Sequence, residues 1–294
     1  MKSMINHLKT KIAFPLLMLT ACFSPYSCND NIVNVQEYKY LGSQLKNIPT
    51  VKEVLQYDVS INWQNRNLDG SYLNRNIATA QYTSGLKDGY VKWNSVRTAQ
   101  IKDTAAPLPE GNLLEFAEGF SYKVEGDNIF KEEMYKNIPD NHKDLIKWFV
   151  WDAVTIETYG LMYLDSLQLN VPFRPVYFNK DLVGNINNWG TIELKSLELT
   201  WAGVTNINNA YCAVIQYKSF FNPVQANTNG MEIKSRSLYW GTVLISFDKR
   251  QIEYGTINED MPLELAIPGV PQKQLINLQR QVEFKKHFKG EDQK

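Results

Sequence analysis

Leu55-Gln56-Tyr57-Asp58-Val59-Ser60-Ile61-Asn62-Trp63 decides the fold class of this chain. Apolar side chains occupy every odd position and polar ones every even position. Successive side chains of an extended chain point to opposite faces, so this alternation predicts a strand with one face for a core and one for water. The next stretch, 64–76, is rich in asparagine and holds Asp69-Gly70, a hairpin turn signal. Strand-like runs resume at 77–83 and 90–96, with Asp88-Gly89 between them. Pro107 and Pro109 mark a loop.

A different period rules the middle of the chain. Pro139-Asp140-Asn141 supplies capping residues, and Asn141 to Asp144 resembles a capping box with a shorter acid. Apolar residues then recur from 145 to 167. At 100° per residue, Leu145, Trp148, Phe149, Ile156, Tyr159 and Tyr163 share one face, and Ile146, Val150, Ala153, Leu161 and Leu164 share another. A helix this apolar all round is largely buried.

Strand patterns return beyond Pro172 and Pro175. A phase slip near Ser196 predicts a bulge. Runs at 211–221, 231–236, 238–247 and 251–257 complete a meander. Its turns are read at Asn206, Asn208 and Asn209, then at Asn222, Pro223, Asn227, Asn229 and Gly230, and finally at Asp248-Lys249-Arg250. Val35, Tyr38, Leu41 and Leu45 predict a short helix before Pro49. Pro271, Leu275, Leu278 and Val282 predict a C-terminal one. Strands grouped around one helix, without regular alternation, define an α+β class. The expected fold is a mainly antiparallel sheet, curved or half-barrel, packed on a central apolar helix. It forms a single domain over 35–289, with a flexible tail at 290–294.

Asp152 is the most informative acid. It lies in the middle of the Trp148, Phe149, Tyr159 face, where burial raises a carboxyl pKa unless a cation meets it. The structural reading satisfies it with an arginine such as Arg174 or with backbone amides; the functional reading makes it an acid or a ligand anchor, with Trp148 and Tyr159 beside it. Glu157 and Asp165 face elsewhere on the same helix. A glycosidase would need two close carboxyls, with Asp181 or Glu259-Asp260 as other sources. Residues 65–76 resemble the front of a calcium loop but end on Asn76 where a bidentate glutamate belongs, so an ordinary hairpin is favoured. His7, His142 and His287 are the three histidines. They form no zinc spacing, and no Gly-x-Ser-x-Gly elbow or phosphate-cradling loop occurs. No catalytic residue, metal or cofactor is assigned. Trp189, between asparagines in a predicted loop, is a candidate to stack on a sugar, with inward packing as the alternative.

The front of the chain carries Lys2, Lys9 and Lys11, then an apolar run at 12–19, then Leu19-Thr20-Ala21-Cys22 and Ser27-Cys28-Asn29-Asp30. A charged start, a short apolar centre and small residues at the exit form an export signal. The run is well short of the ~20 apolar residues a membrane span needs. Leu19-Thr20-Ala21-Cys22 resembles a bacterial lipoprotein signal at all four lipobox positions. Pro25-Tyr26-Ser27-Cys28 matches at two, although Cys28-Asn29-Asp30 is similar to the acidic start of surface lipoproteins of Bacteroidetes. The resemblance implies acylation at Cys22, with Cys28 as the alternative, after loss of signal peptide 1–21. Residues 22–34 would be a polar tether. It also implies attachment to a bilayer, by acyl chains, at the outer membrane of the cell envelope. An ordinary cleaved signal is the other possibility.

Cys212, far from the leader, sits in an apolar run and reads as a small core residue. The precursor has no net charge; a chain starting at Cys22 has 28 basic and 31 acidic residues. No basic excess points to nucleic acid. The expected role is therefore non-catalytic: binding a hydrophobic or glycan ligand, or an envelope partner protein. An envelope glycan hydrolase and a structural subunit are the alternatives. An apolar cavity would mark a lipid, a flat aromatic strip with amides a glycan, and paired carboxyls near Asp152 a hydrolase.

Overall fold

The alternating segment is a strand, and the sheet grows from it on both sides. The structure is a computed structural model. It describes residues 40–45, 48, 53–102, 109–125, 129, 131–176, 182–186, 190–207, 209–228 and 230–287. Cys22, Cys28, the leader, the tether, Trp189 and the tail lie outside the described residues. In chain order the elements are α1 (Leu41–Leu45), β1 (Leu55–Asn67), β2 (Tyr72–Ser84), β3 (Tyr90–Ile101), β4 (Asn112–Leu113), β5 (Phe120–Lys123) and α2 (Asp140–Glu157). Then follow β6 (Leu182–Ile186), β7 (Gly190–Leu194), β8 (Glu198–Ile207), β9 (Ala210–Thr228), β10 (Met231–Ser246), β11 (Ile252–Ala266) and β12 (Gln274–Lys286).

All these strands join one antiparallel sheet in the order β4-β3-β2-β1-β12-β11-β10-β9-β7-β6, with β5 on β3 and β8 on β9. The sheet is not closed into a barrel. One face of its centre is the core: Val59, Ile61, Ile257, Val282 and Phe284 are all buried. Helix α2 lies on that face. Its Phe149 ring packs 5.1 Å from the Trp93 ring of β3. Ile156 rests on Gly255 of β11, where a Cβ would come within 2.8 Å of it. Each buried aliphatic side chain of α2 contributes on the order of 2 kcal/mol. The helix ends in a π-turn, Thr158–Met162. No helix of the described residues is long and apolar enough to cross a membrane.

Several expectations need correction. The predicted C-terminal helix is strand β12. Leu275, Leu278 and Val282 do recur at helical spacing, but Arg280, Val282 and Phe284 also alternate and are all buried. β12 lies between β1 and β11, pairing Val282 with Ile61 on one edge and Ile257 on the other. Two complete hydrogen-bond ladders outweigh a marginal local helix preference.

The predicted capping box does not form. The helix starts at Asp140 behind Pro139, so Asn141 is already inside it. The bulge expected near Ser196 falls instead between Trp201 and Gly203. Segments 231–236 and 238–247 are one strand, β10, with a register shift between Ser237 and Tyr239.

Asn222 and Pro223 are not a turn. They continue β9 past Phe221, whose φ is 62°. The buried Asn222 amide supports this irregularity: Nδ2 donates to Ser219 and Ser237 carbonyls at 3.2 and 3.3 Å, and Oδ1 accepts from the Lys195 amide at 3.1 Å. The calcium-like segment is a hairpin turn, with the Ser71 amide donating to the Asp69 carboxylate at 2.8 Å. Cys212 is buried, and burial pushes its thiol up to about 12.

Candidate functional site

Two polar groups occupy opposite faces of the same strands. On the core face, Arg280 of β12 meets Asp152 of α2. Its Nη1 donates to both Asp152 oxygens at 2.8 Å, and Nη2 adds a third bond at 2.9 Å. Its Nε donates to Glu259 of β11 at 3.0 Å. The other Glu259 oxygen accepts from the Ser237 hydroxyl at 2.5 Å. Trp148 covers the guanidinium, 4.6 Å from ring centre to Cζ. Asp152 is fully buried, and Arg280 and Glu259 nearly so.

Two carboxylates share one cation here. Loss of hydration raises the Asp152 pKa, Arg280 lowers it, and Glu259 raises it again, leaving it at about 7. Partly buried Glu157 accepts a hydrogen bond from Tyr82 at 2.8 Å. Burial still lifts its carboxyl to about 6.

The partner of Asp152 is thus Arg280, not Arg174. Arg174 pairs with Glu198 at 2.9 Å and has a mostly exposed side chain. Tyr159 is buried edge-on to Tyr217, with ring centres 4.8 Å apart, and faces no surface. Trp148 and Asp152 do come together, but around Arg280 rather than a ligand. Trp189 lies outside the described residues. The chemistry of this cluster is internal charge neutralisation, because hydrogen bonds within the core take both its carboxyls.

The outward face of β1, β12, β11 and β10 is different. Register places Asn62 beside Gln281, Gln281 beside Asn258, and Asn258 beside Trp240. One step along, Gln64 lies beside Gln279 and Gln279 beside Asp260. Five amides and one acid therefore form two rows across three strands, closed on the fourth by Trp240. Columns stand about 4.8 Å apart and rows on the order of 7 Å apart. Together they line a shallow open depression of about 210 Å³.

Trp240 is 40% exposed. Arg75 donates to Asn62 Oδ1 at 2.7 Å, and the Asn62 NH2 donates to no group among the described residues. Among the described residues, Gln64, Asn258, Gln279 and Gln281 take no side-chain hydrogen bond within the protein. Asp260 Oδ1 and the nearby Asn277 Oδ1 are buried without a donor. A planar array of amides beside an exposed indole can hydrogen-bond hydroxyls and stack on an apolar ring face.

Of these seven residues the sequence singles out only Asp260, as one possible carboxyl of a hydrolase, and brings none of the other six to a site. The even positions of β1 give the signal for Asn62 as a water-facing residue, and Gln64 opens the asparagine-rich stretch 64–76. Gln279 and Gln281 were hidden by the helical reading of β12.

Past Arg280 on the core face, Met261 pairs with Leu278, Leu263 with Ile276, and Ile233 with Leu265. Apart from buried Met261, these side chains are half-buried.

No protein-family model matches the chain, and no curated protein matches it. Among solved structures, the chain is similar to one reported as "Lipid-protein interactions in lipovitellin". The TM-score is 0.38 and the identity 10%, over 80% of this chain and 25% of that one. The chain thus spans about a quarter of that protein's length. A likeness this distant is compatible with ligand binding and carries no argument for it.

Proposed function

We propose that this protein is a non-catalytic, glycan-binding lipoprotein of the cell envelope. The observation that carries the proposal is the amide array of β1, β12 and β11 ending at exposed Trp240. Apart from Asn62, which accepts from Arg75, its amides take no side-chain hydrogen bond among the described residues, whereas the carboxyls a hydrolase would need near Asp152 are engaged by Arg280 in the core. Hydrolysis requires acids that reach a substrate bond. Acylation at Cys22, or at Cys28, would hold the array at a membrane surface.

The test is calorimetry of full-length protein against neutral oligosaccharides: cello-, manno- and chitohexaose. Saturable binding to at least one, weakened tenfold or more in Trp240→Ala, is expected. No binding to any of them, or binding indifferent to Trp240, ends the glycan reading. Anchoring is checked separately by mass spectrometry of the mature N-terminus. A form without acyl chains on either cysteine refutes it.

A hydrophobic ligand is the second reading, favoured by the half-buried row Ile233, Leu263, Leu265, Ile276 and Leu278. It predicts that a fluorescent fatty acid binds and that Leu263→Asp abolishes the binding.

A further inference from the structure

Within that glycan reading, we infer that the site selects an uncharged, hydroxyl-rich sugar and rejects a uronate of the same backbone. Asp260 supplies the argument. It ends the second row of the array, on β11, paired across the strand with Gln279 and two positions from Pro262, the partner of Asn277. Its Oδ1 is buried and accepts no hydrogen bond, and Asn277 Oδ1 is in the same condition. Asp260 is the one acid of the array and takes no ion pair or side-chain hydrogen bond among the described residues. A ligand hydroxyl or amide proton can donate to its carboxylate from the depression; a ligand carboxylate brings only further acceptors and a like charge.

The cations around the array do not offset Asp260. Arg280 turns its guanidinium to the opposite face and spends it on Asp152 and Glu259. Arg75, at the rim across from Gln64, is bound to Asn62. Lys218, beyond Trp240, pairs with Glu198 at 2.7 Å. Arg236 of β10 is exposed two positions from Leu238, the partner of Asp260, but makes no ion pair with it, so among the described residues the Asp260 carboxylate has no cation partner.

The experiment compares the best-binding neutral oligosaccharide with its own C6-oxidised uronate, in wild-type full-length protein and in Asp260→Asn. In about 20 mM salt the uronate should bind roughly tenfold more weakly to the wild type. That gap should shrink in about 0.5 M salt, where exposed charges are screened. In Asp260→Asn it should fall to within about twofold, with the far-ultraviolet dichroism unchanged. Equal or tighter binding of the uronate by the wild type overturns the inference, as does a gap that survives Asp260→Asn. Either result leaves glycan binding itself standing. Absence of binding by every neutral sugar removes both.

Discussion

The two faces of β10, β11 and β12 differ in how they treat polar groups. Inward, every hydrogen-bonding atom of the Arg280 guanidinium that is described has a carboxylate partner, and Trp148 seals it. Outward, one residue away on the same strands, Gln279, Gln281 and Asn258 have none within the protein. A buried charge without a partner costs several kcal/mol, about 3–5, so the inner cluster is kept complete. Solvent-facing amides carry no such requirement, and that freedom lets them serve a ligand. The pattern separates a charge cluster that holds the fold from a polar array open to recognition.

The hardest way to break this contrast is Arg280→Met. It strands Asp152 and Glu259 as two like charges in the core, and about 3–5 kcal/mol of stability should be lost at pH 8. Urea unfolding at pH 5 and pH 8 checks it. The loss should be smaller at pH 5, where the carboxyls can bind protons. In the wild type, Asp152 sits near 7 against an ordinary 3.8. Folding then takes up a proton, so its contribution is full below about 4 and is lost as pH rises through 7. Melting temperature should fall from pH 5 to pH 8, and Asp152→Asn should flatten that slope. An unchanged slope in the variant would assign the pH dependence to another group, with Glu157 the next candidate.

Gly255→Ala tests the close approach of α2 to the inner face. The new methyl would press on Ile156 at about 2.8 Å. A loss of about 1–3 kcal/mol is expected by urea titration, with the urea dependence unchanged. A neutral result would mean that α2 rides higher on the sheet than described.

On the outer face the expected effects reverse in kind. Trp240→Ala should cost at least about 1.4 kcal/mol of sugar binding, a factor of ten, while unfolding shifts little. Gln279→Ala should be the smallest change: stability within about 0.5 kcal/mol of wild type, and sugar affinity down a few-fold. If Gln279→Ala instead destabilised the protein as strongly as Gly255→Ala, the outer amides would be structural and the contrast between faces would fail.

The legible part of the fold follows from periodicity. Tyr57 to Trp63 announced a one-sided strand, and Phe149, Val150 and Ala153 announced a buried helix, because burial on a regular backbone imprints its period on the sequence. Asp152 was legible as a perturbed acid for the same reason. Its partner was not: Arg280 is 128 residues away, and a spacing rule has no reach across that separation. Arg174 was nearer in sequence and proved to belong to Glu198 on the surface. Strand β12 was misread because its local pattern fits both periods, and only pairing with β1 and β11 chose between them. The amide array was hidden for a related reason. Its members come from four segments, 62–64, 240, 258–260 and 279–281, which are unremarkable one at a time. By itself the sequence determined that the chain has strands with a wet and a dry face and one greasy helix, properties carried by neighbouring residues. Tertiary structure alone decided which cation neutralises Asp152, that the last predicted helix is a strand, and that five amides, an acid and a tryptophan share one surface. Each of those depends on register between strands distant in the chain, and register is set by the whole sheet at once.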